Sequence, residues 1–143
     1  MMWKTEKLSG LLETLESGGR PQGGASLDSD GVPSLGGEHI GRDGEPLLDS
    51  MKFIPRSYYQ DMNQGKIKKG DILVVKDGAT TGKTAFVGEN FPYEDAAVNE
   101  HVFIVRVNRN RLEPKFAFYW LFSPTGNRQI LSDFRGSAQG GIA

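Results

Sequence analysis

Lys69-Gly70-Asp71-Ile72-Leu73-Val74-Val75-Lys76-Asp77-Gly78-Ala79-Thr80-Thr81-Gly82-Lys83-Thr84-Ala85-Phe86-Val87 is the stretch on which the fold turns. Apolar and β-branched residues run unbroken from Ile72 to Val75 between Gly70 and Gly78, which predicts a strand over Asp71–Lys76. Lys83–Val87 reads as its partner across a Gly/Thr turn, so Gly70–Val87 is expected to form a β-hairpin with Gly78–Gly82 at the tip. The same letters come close to a phosphate-binding loop, and two facts exclude it. Three residues, not four, separate Gly78 from the Gly82-Lys83 pair. A phosphate loop also needs a helix start after its Lys, because the helix amides bind the anion. Here Gly88 and Pro92 stand where that helix would run.

Outward from the hairpin, Val98, Val102, Ile104, Val105 and Val107 suggest one further long strand. Pro114 suits the first position of a helix carrying Phe116, Phe118, Tyr119, Trp120, Leu121 and Phe122, expected to be largely buried. Ser123-Pro124 breaks that helix and opens a second one with Ile130 and Leu131. Toward the N-terminus, residues 18–50 are rich in Gly, Asp, Ser and Pro and read as loop, interrupted by an extended piece at Val32–Leu35. Lys52–Ile54 reads as extended and Ser57–Asn63 as one or two helical turns. Leu8, Leu11, Leu12 and Leu15 recur at helical spacing before Gly18-Gly19, which predicts a short amphipathic helix over residues 8–17.

The 143 residues suit one domain, and 37% hydrophobic with 24% charged residues place the chain among globular rather than disordered proteins. No apolar run reaches bilayer length, and no basic-then-apolar signal opens the chain. There is no Cys, hence no disulfide and no thiolate metal site, which is compatible with a reducing cytoplasm, the expected location. Net charge is −1, but it is spread unevenly. Residues 1–50 hold 4 Lys/Arg against 9 Asp/Glu, residues 51–84 hold 7 against 3, and the remainder balances at 6 against 6. A basic middle on an acidic chain suits either a phosphate-facing surface or a solvated face.

Asn90-Phe91-Pro92-Tyr93 differs at one position from the Asn-Pro-Pro-Tyr motif with which adenine methyltransferases hold a flipped base. Phe91 removes part of the rigid turn, and no Gly-rich strand-to-helix motif for a methyl donor is present, so the segment reads as a loop. The alternative to a binding module is therefore a small nucleotide- or S-adenosylmethionine-dependent enzyme built on residues 78–84 or Asn90–Tyr93. His39 and His101, the only histidines, lack partners at metal-ligand spacing and read as hydrogen-bonded loop or sheet-edge residues. No metal site and no cofactor are expected.

Lys76, Thr80, Thr81 and Lys83 gather around the Gly-rich turn inside the basic segment. Lys and Thr donate to phosphates and also read base edges in the major groove, and loops held by a rigid sheet are where binding residues usually sit. These four are the central candidates for a DNA face, with Arg42, Lys52, Arg56 and Gln139 beside them.

Several stretches, in order along nearly the whole chain, resemble the specificity subunits of Type I restriction–modification enzymes. They are Trp3 before the Leu-rich segment, Ser17-Gly18-Gly19-Arg20-Pro21, Val32-Pro33-Ser34-Leu35-Gly36-Gly37-Glu38-His39-Ile40, the Lys69–Lys83 run, Val98-Asn99-Glu100-His101-Val102, Tyr119-Trp120-Leu121 and Gly136-Ser137-Ala138-Gln139. The resemblance implies an α+β domain, mostly a twisted β-sheet, with a short N-terminal helix and helices at the C-terminal side. It implies a module without catalysis that reads one half of a bipartite site in double-stranded DNA. Methyltransferase (modification) subunits and, through them, a restriction subunit would then methylate adenine and cleave. Residues 1–143 are expected to be a single target-recognition domain, the N-terminal half-site reader, ending at Ala143 where the family continues into a spacer helix.

Overall fold

The computed structural model describes residues 8–136, so Trp3, Gln139 and the Ser-Ala-Gln run after Gly136 lie outside the described residues. Strand β4 (Ile72–Val75) is buried at all 4 positions, and the alternation of a strand divides them between two cores. Leu73 and Val75 join Leu35, Val98, Val102 and Ile104. Ile72 and Val74 join Phe103, Val105, Phe118 and Leu121. A strand covered on both faces has no side to show to water, so its sequence is an apolar run rather than an alternation.

Around β4 stands a 4-stranded antiparallel sheet in the order β1-β7-β4-β5, with β1 at Leu12–Ser17, β5 at Thr84–Phe86 and β7 at Val102–Val107. A second sheet has the order β3-β2-β6, with β2 at Val32–Leu35, β3 at Lys52–Ile54 and β6 at Ala97–Val98; β2 runs antiparallel to β3 and parallel to β6. The first core lies between the sheets. Helix α1 (Arg56–Asp61) covers the outer face of the second sheet, setting Tyr58 and Tyr59 against Val32, Ile54 and Ala97. Helix α2 (Pro114–Phe122) covers the outer face of the first sheet, and α3 (Pro124–Gly136) packs beside it. Pro114 takes the first helical turn, where its missing N–H costs nothing, and the Glu113 carboxylate caps α2 by accepting from the Phe116 amide at 2.9 Å. The α+β class, the hairpin, both extended pieces, the helix after Ile54 and the two C-terminal helices match the expectation. Among the described residues no helix is long and apolar enough to cross a membrane.

Three local expectations are corrected. Helix over residues 8–17 is confined to one 3-10 turn at Leu8–Leu11, and residues from Leu12 on are strand β1. The edge of β7 would otherwise present a row of unpaired amides, and pairing with β1 from Leu12↔Val107 to Ser17↔Phe103 outweighs the helical spacing of the leucines. The run from Val98 to Val107 is two strands in different sheets, not one. Asn99 breaks it, its Oδ1 accepting from the His101 amide at 2.9 Å to close a turn. Finally, α2 buries Ala117, Phe118 and Leu121 but leaves Phe116, Tyr119, Trp120 and Phe122 exposed, because a helix on one sheet face hides only one stripe.

Candidate nucleic-acid interface

The β4–β5 turn is closed by backbone bonds from Val75 N to Lys83 O (2.9 Å) and from Gly82 N to Val75 O (2.8 Å). Gly82 sits at φ +94, a left-handed conformation that favours glycine. Its carbonyl accepts from Thr84 Oγ1 at 2.9 Å and from Asn127 Nδ2 of α3 at 2.6 Å, so the turn is tied to the helix layer. A strand follows Lys83, which excludes the phosphate loop on structure as well as on spacing. Asn90 is exposed while Phe91 is packed into the inter-sheet core, so that segment serves as a loop anchor.

Four other chain segments meet the turn on the same rim. Gly18 N donates to Asn99 O, and Asn99 N donates to Leu35 O, bringing together the ends of β1, β2 and β6. Lys76 N donates to His101 O, adding the start of β7. Thr80 Oγ1 lies beside Gly37, so close that a Cβ on Gly37 would stand 3.3 Å from it.

The expected site residues divide accordingly. Thr80 is exposed at the tip; Thr81 donates its hydroxyl to Gly78 O at 2.6 Å; Lys83 is half-buried. Lys76 is half-buried with Nζ 5.2 Å from the centre of the Phe103 ring, a cation–π contact that fixes its stem. Lys52 reaches the same rim, where Nζ pairs with Glu38 Oε2 at 3.1 Å. Arg56 lies at the other end of the second sheet, paired with Asp95 at 2.9 Å. Arg42 is exposed on the loop whose Gly44 carbonyl accepts from Phe86, away from the turn. The structure thus brings Lys52, Lys76, Thr80, Thr81 and Lys83 together and leaves Arg42 and Arg56 apart.

The rim also holds residues that composition did not single out. His101 has Nδ1 2.5 Å from Asp77 Oδ1 and Nε2 3.0 Å from Glu100 Oε1. Arg20 pairs with the same Glu100 oxygen, while Glu100 Oε2 is buried with no hydrogen-bond partner among the described residues. Arg20 holds the Glu100 carboxyl below its ordinary value, chiefly by hydrogen bonding. Ser17-Gly18-Gly19-Arg20 and Asn99-Glu100-His101 carried a signal, Gly and Asn before charged residues, but nothing in the sequence shows that they converge. His39, by contrast, is structural: its Nδ1 accepts from Gly36 N at 2.9 Å and its Nε2 lies 3.0 Å from Ser50 O. Among the described residues no group of three or more potential metal ligands assembles.

Residues 2–143 match the family model described as the Type I restriction modification DNA specificity domain. The chain belongs to that family. Solved structures carry the same fold. One chain, from work on complex assembly and conformational transition of the type I R-M system, aligns with a TM-score of 0.62 at 17% identity, over 96% of this specificity domain and 34% of its own length. The HsdS subunit from Thermoanaerobacter tengcongensis aligns with a TM-score of 0.56 at 18% identity, over 80% of this chain and 25% of its own. The specificity domain therefore spans about a third and a quarter of those two chains. No curated protein matches the sequence.

Proposed function

We propose that this domain reads the base sequence of one half of a bipartite site in double-stranded DNA and performs no chemistry itself. In this reading, methyltransferase subunits of a Type I restriction–modification complex methylate adenine at the site, and a restriction subunit bound through them cleaves. The observation that carries the proposal is the match of residues 2–143 to the DNA specificity domain family. The rim supports it, since five segments from two sheets offer hydroxyls, amides and cations on one edge.

On that rim Thr80 and Thr81 suit base edges, and Lys76 and Lys83 suit phosphates or guanine. Lys52 must give up or share Glu38 to reach a phosphate. Arg42 and Arg56 fall outside the proposed face, and Gln139 keeps its place only as a sequence-based candidate.

The test is an alanine series at Lys76, Thr80, Thr81 and Lys83 in the reassembled complex. Methylation of the native site is scored against altered half-sites, and duplex affinity is measured across a salt series, because phosphate contacts release counterions. Lower affinity or relaxed specificity is expected. Unchanged affinity, salt slope and specificity would place the face elsewhere, and turnover of ATP or S-adenosylmethionine by this chain alone would refute the non-catalytic reading.

A further inference from the structure

The basic segment does not sit on one edge. Lys76 and Lys83 stand at the turn, while Lys68 and Lys69 precede β4 at the opposite end of the sheet. There they meet Arg106 and Arg109 around a cavity of about 220 Å³, which Glu13 and Asp71 also line. We infer that Lys68, Lys69 and Arg109 form a clamp for a phosphate of the DNA backbone, with Arg106 behind them; this rests on the DNA-reading role proposed above.

The charge balance at this end favours an anion. Four cations face two carboxylates, and one of those carboxylates is already occupied. Asp71 is 1% exposed. It accepts from Arg106 Nε and Nη2, both at 2.8 Å, and from the Lys68 amide at 2.7 Å. That pair neutralises itself in the interior, so within the lining of this cavity the exposed Lys68, Lys69 and Arg109 face the single carboxylate of Glu13.

Arg109 is held in place before any ligand arrives. Its Nη2 donates to the Lys69 carbonyl at 2.9 Å, and its guanidinium occupies the space over Gly70 that a Cβ would fill. Gly70 is at φ +92, so the turn requires glycine both for its backbone and for the arginine above it. A planar, anchored guanidinium that engages the Lys69 carbonyl through one nitrogen among the described residues loses little freedom when it binds a phosphate. The cavity is several times the roughly 30 Å³ that one water occupies, room enough for a phosphate and part of its hydration. Reach is adequate as well. From Asp71 to Lys76 a strand covers about 17 Å at about 3.4 Å per residue, less than one turn of a duplex at about 34 Å. The two ends of β4 are therefore closer together than one turn of a duplex is long.

The experiment measures binding of a duplex oligonucleotide to the full chain by fluorescence anisotropy across a KCl series. The Lys68→Ala/Lys69→Ala/Arg109→Ala triple variant should flatten the slope of log K against log salt by about one unit, the loss of one phosphate contact, equally for all DNA sequences. Gly70→Ala keeps every charge but evicts the guanidinium. It should lower affinity in the same sequence-independent way while thermal melting shows the chain still folded. Thr80→Ala should leave the slope alone. An unchanged slope in the Lys68→Ala/Lys69→Ala/Arg109→Ala triple variant, with wild-type DNA binding intact, overturns the clamp and leaves the proposed reading standing. If the wild-type chain binds no duplex at all, the reading fails, and a titration with inorganic phosphate followed at the Gly70 amide and Arg109 Nε decides the rest. Saturable shifts that vanish in the triple variant keep an anion site fed by free phosphate; no shifts remove the site.

Discussion

The two ends of β4 are built from the same residue types and held in opposite ways. At one end Asp71 is buried and clasped by Arg106 through two hydrogen bonds of 2.8 Å. At the other, Asp77, His101, Glu100 and Arg20 form a chain of polar contacts with side chains 33–56% exposed. Burial removes the water that would otherwise compensate a lost partner, so the first end is a structural anchor. The second sits in solvent, where changing one member costs little. A sheet fastened at one end and adjustable at the other can exchange the residues on its rim without risking its core. That is what a domain needs if it is to change what it recognises and keep its fold.

The largest effect that tests this contrast is on stability. Asp71→Ala takes from the mostly buried Arg106 guanidinium its two shortest hydrogen bonds, leaving it the Lys66 carbonyl and Glu16 at 4.0 Å, and should cost about 3 kcal/mol in urea unfolding. Asp77→Ala should cost under about 1 kcal/mol, since its pair is exposed and screened. Similar losses for the two variants would erase the distinction.

Next in size is the tip. Gly82 at φ +94 cannot take a side chain without strain, so Gly82→Ala should destabilise the chain by about 1–3 kcal/mol. Asn127→Ala removes one of the two side-chain donors to the Gly82 carbonyl and should cost about 0.5–1.5 kcal/mol. If both variants melt like the wild type, the turn is as loose as its surroundings, and the rim has no fixed tip to aim.

Thr80 sharpens the comparison from the functional side. It is exposed and lies beside Gly37, and no core residue depends on it. Thr80→Ala should leave unfolding within about 0.5 kcal/mol of wild type while costing about 1–3 kcal/mol of discrimination between half-sites. A stability loss without a change in specificity would make Thr80 part of the scaffold.

What the sequence disclosed follows from the range of the forces involved. β4 was legible because burial on both faces leaves an apolar run, and the hairpin because glycines mark its turn. Pro114 announced α2. The N-terminal strand was hidden because its leucines fit a helix, and the deciding partner, β7, is remote in sequence. Glu16 deepened the ambiguity: a charged residue is half-buried there because Oε2 accepts from Gly65 N at 2.9 Å, a contact no local pattern announces. The site shows the same limit. Chemistry picked out Lys76, Thr80, Thr81 and Lys83 within one turn, but a net-positive segment says nothing about which end of a strand each cation occupies. Lys68 and Lys69 stand across the sheet from Lys76, and Lys52 and Arg56 are separated by a single short strand that places them at opposite ends of the second sheet.

The smallest expected effect concerns protons on the rim. Glu100 has its carboxyl pulled below the ordinary 4.5, first by the hydrogen bond from Arg20, against an opposing upward push from partial burial. A depressed carboxyl pKa means that the folded state favours the ionised form more than the unfolded state does. The resulting stabilisation is complete above pH 4.5 and disappears as pH falls through the lower folded value. The Glu100 carboxyl resonance should therefore titrate with a midpoint below 4.5 in the wild-type chain. Removing Arg20 takes away the largest downward cause and leaves the upward push of burial, so in Arg20→Ala the midpoint should rise. The same substitution leaves the Asp71–Arg106 pair untouched, so stability at neutral pH should fall only by the small contribution of this exposed pair, and the decline in stability as pH drops below 4.5 should become shallower. A Glu100 midpoint unmoved by Arg20→Ala would mean that the rim pair is not formed in solution, and that the exposed end of β4 is looser than its chain of polar contacts implies.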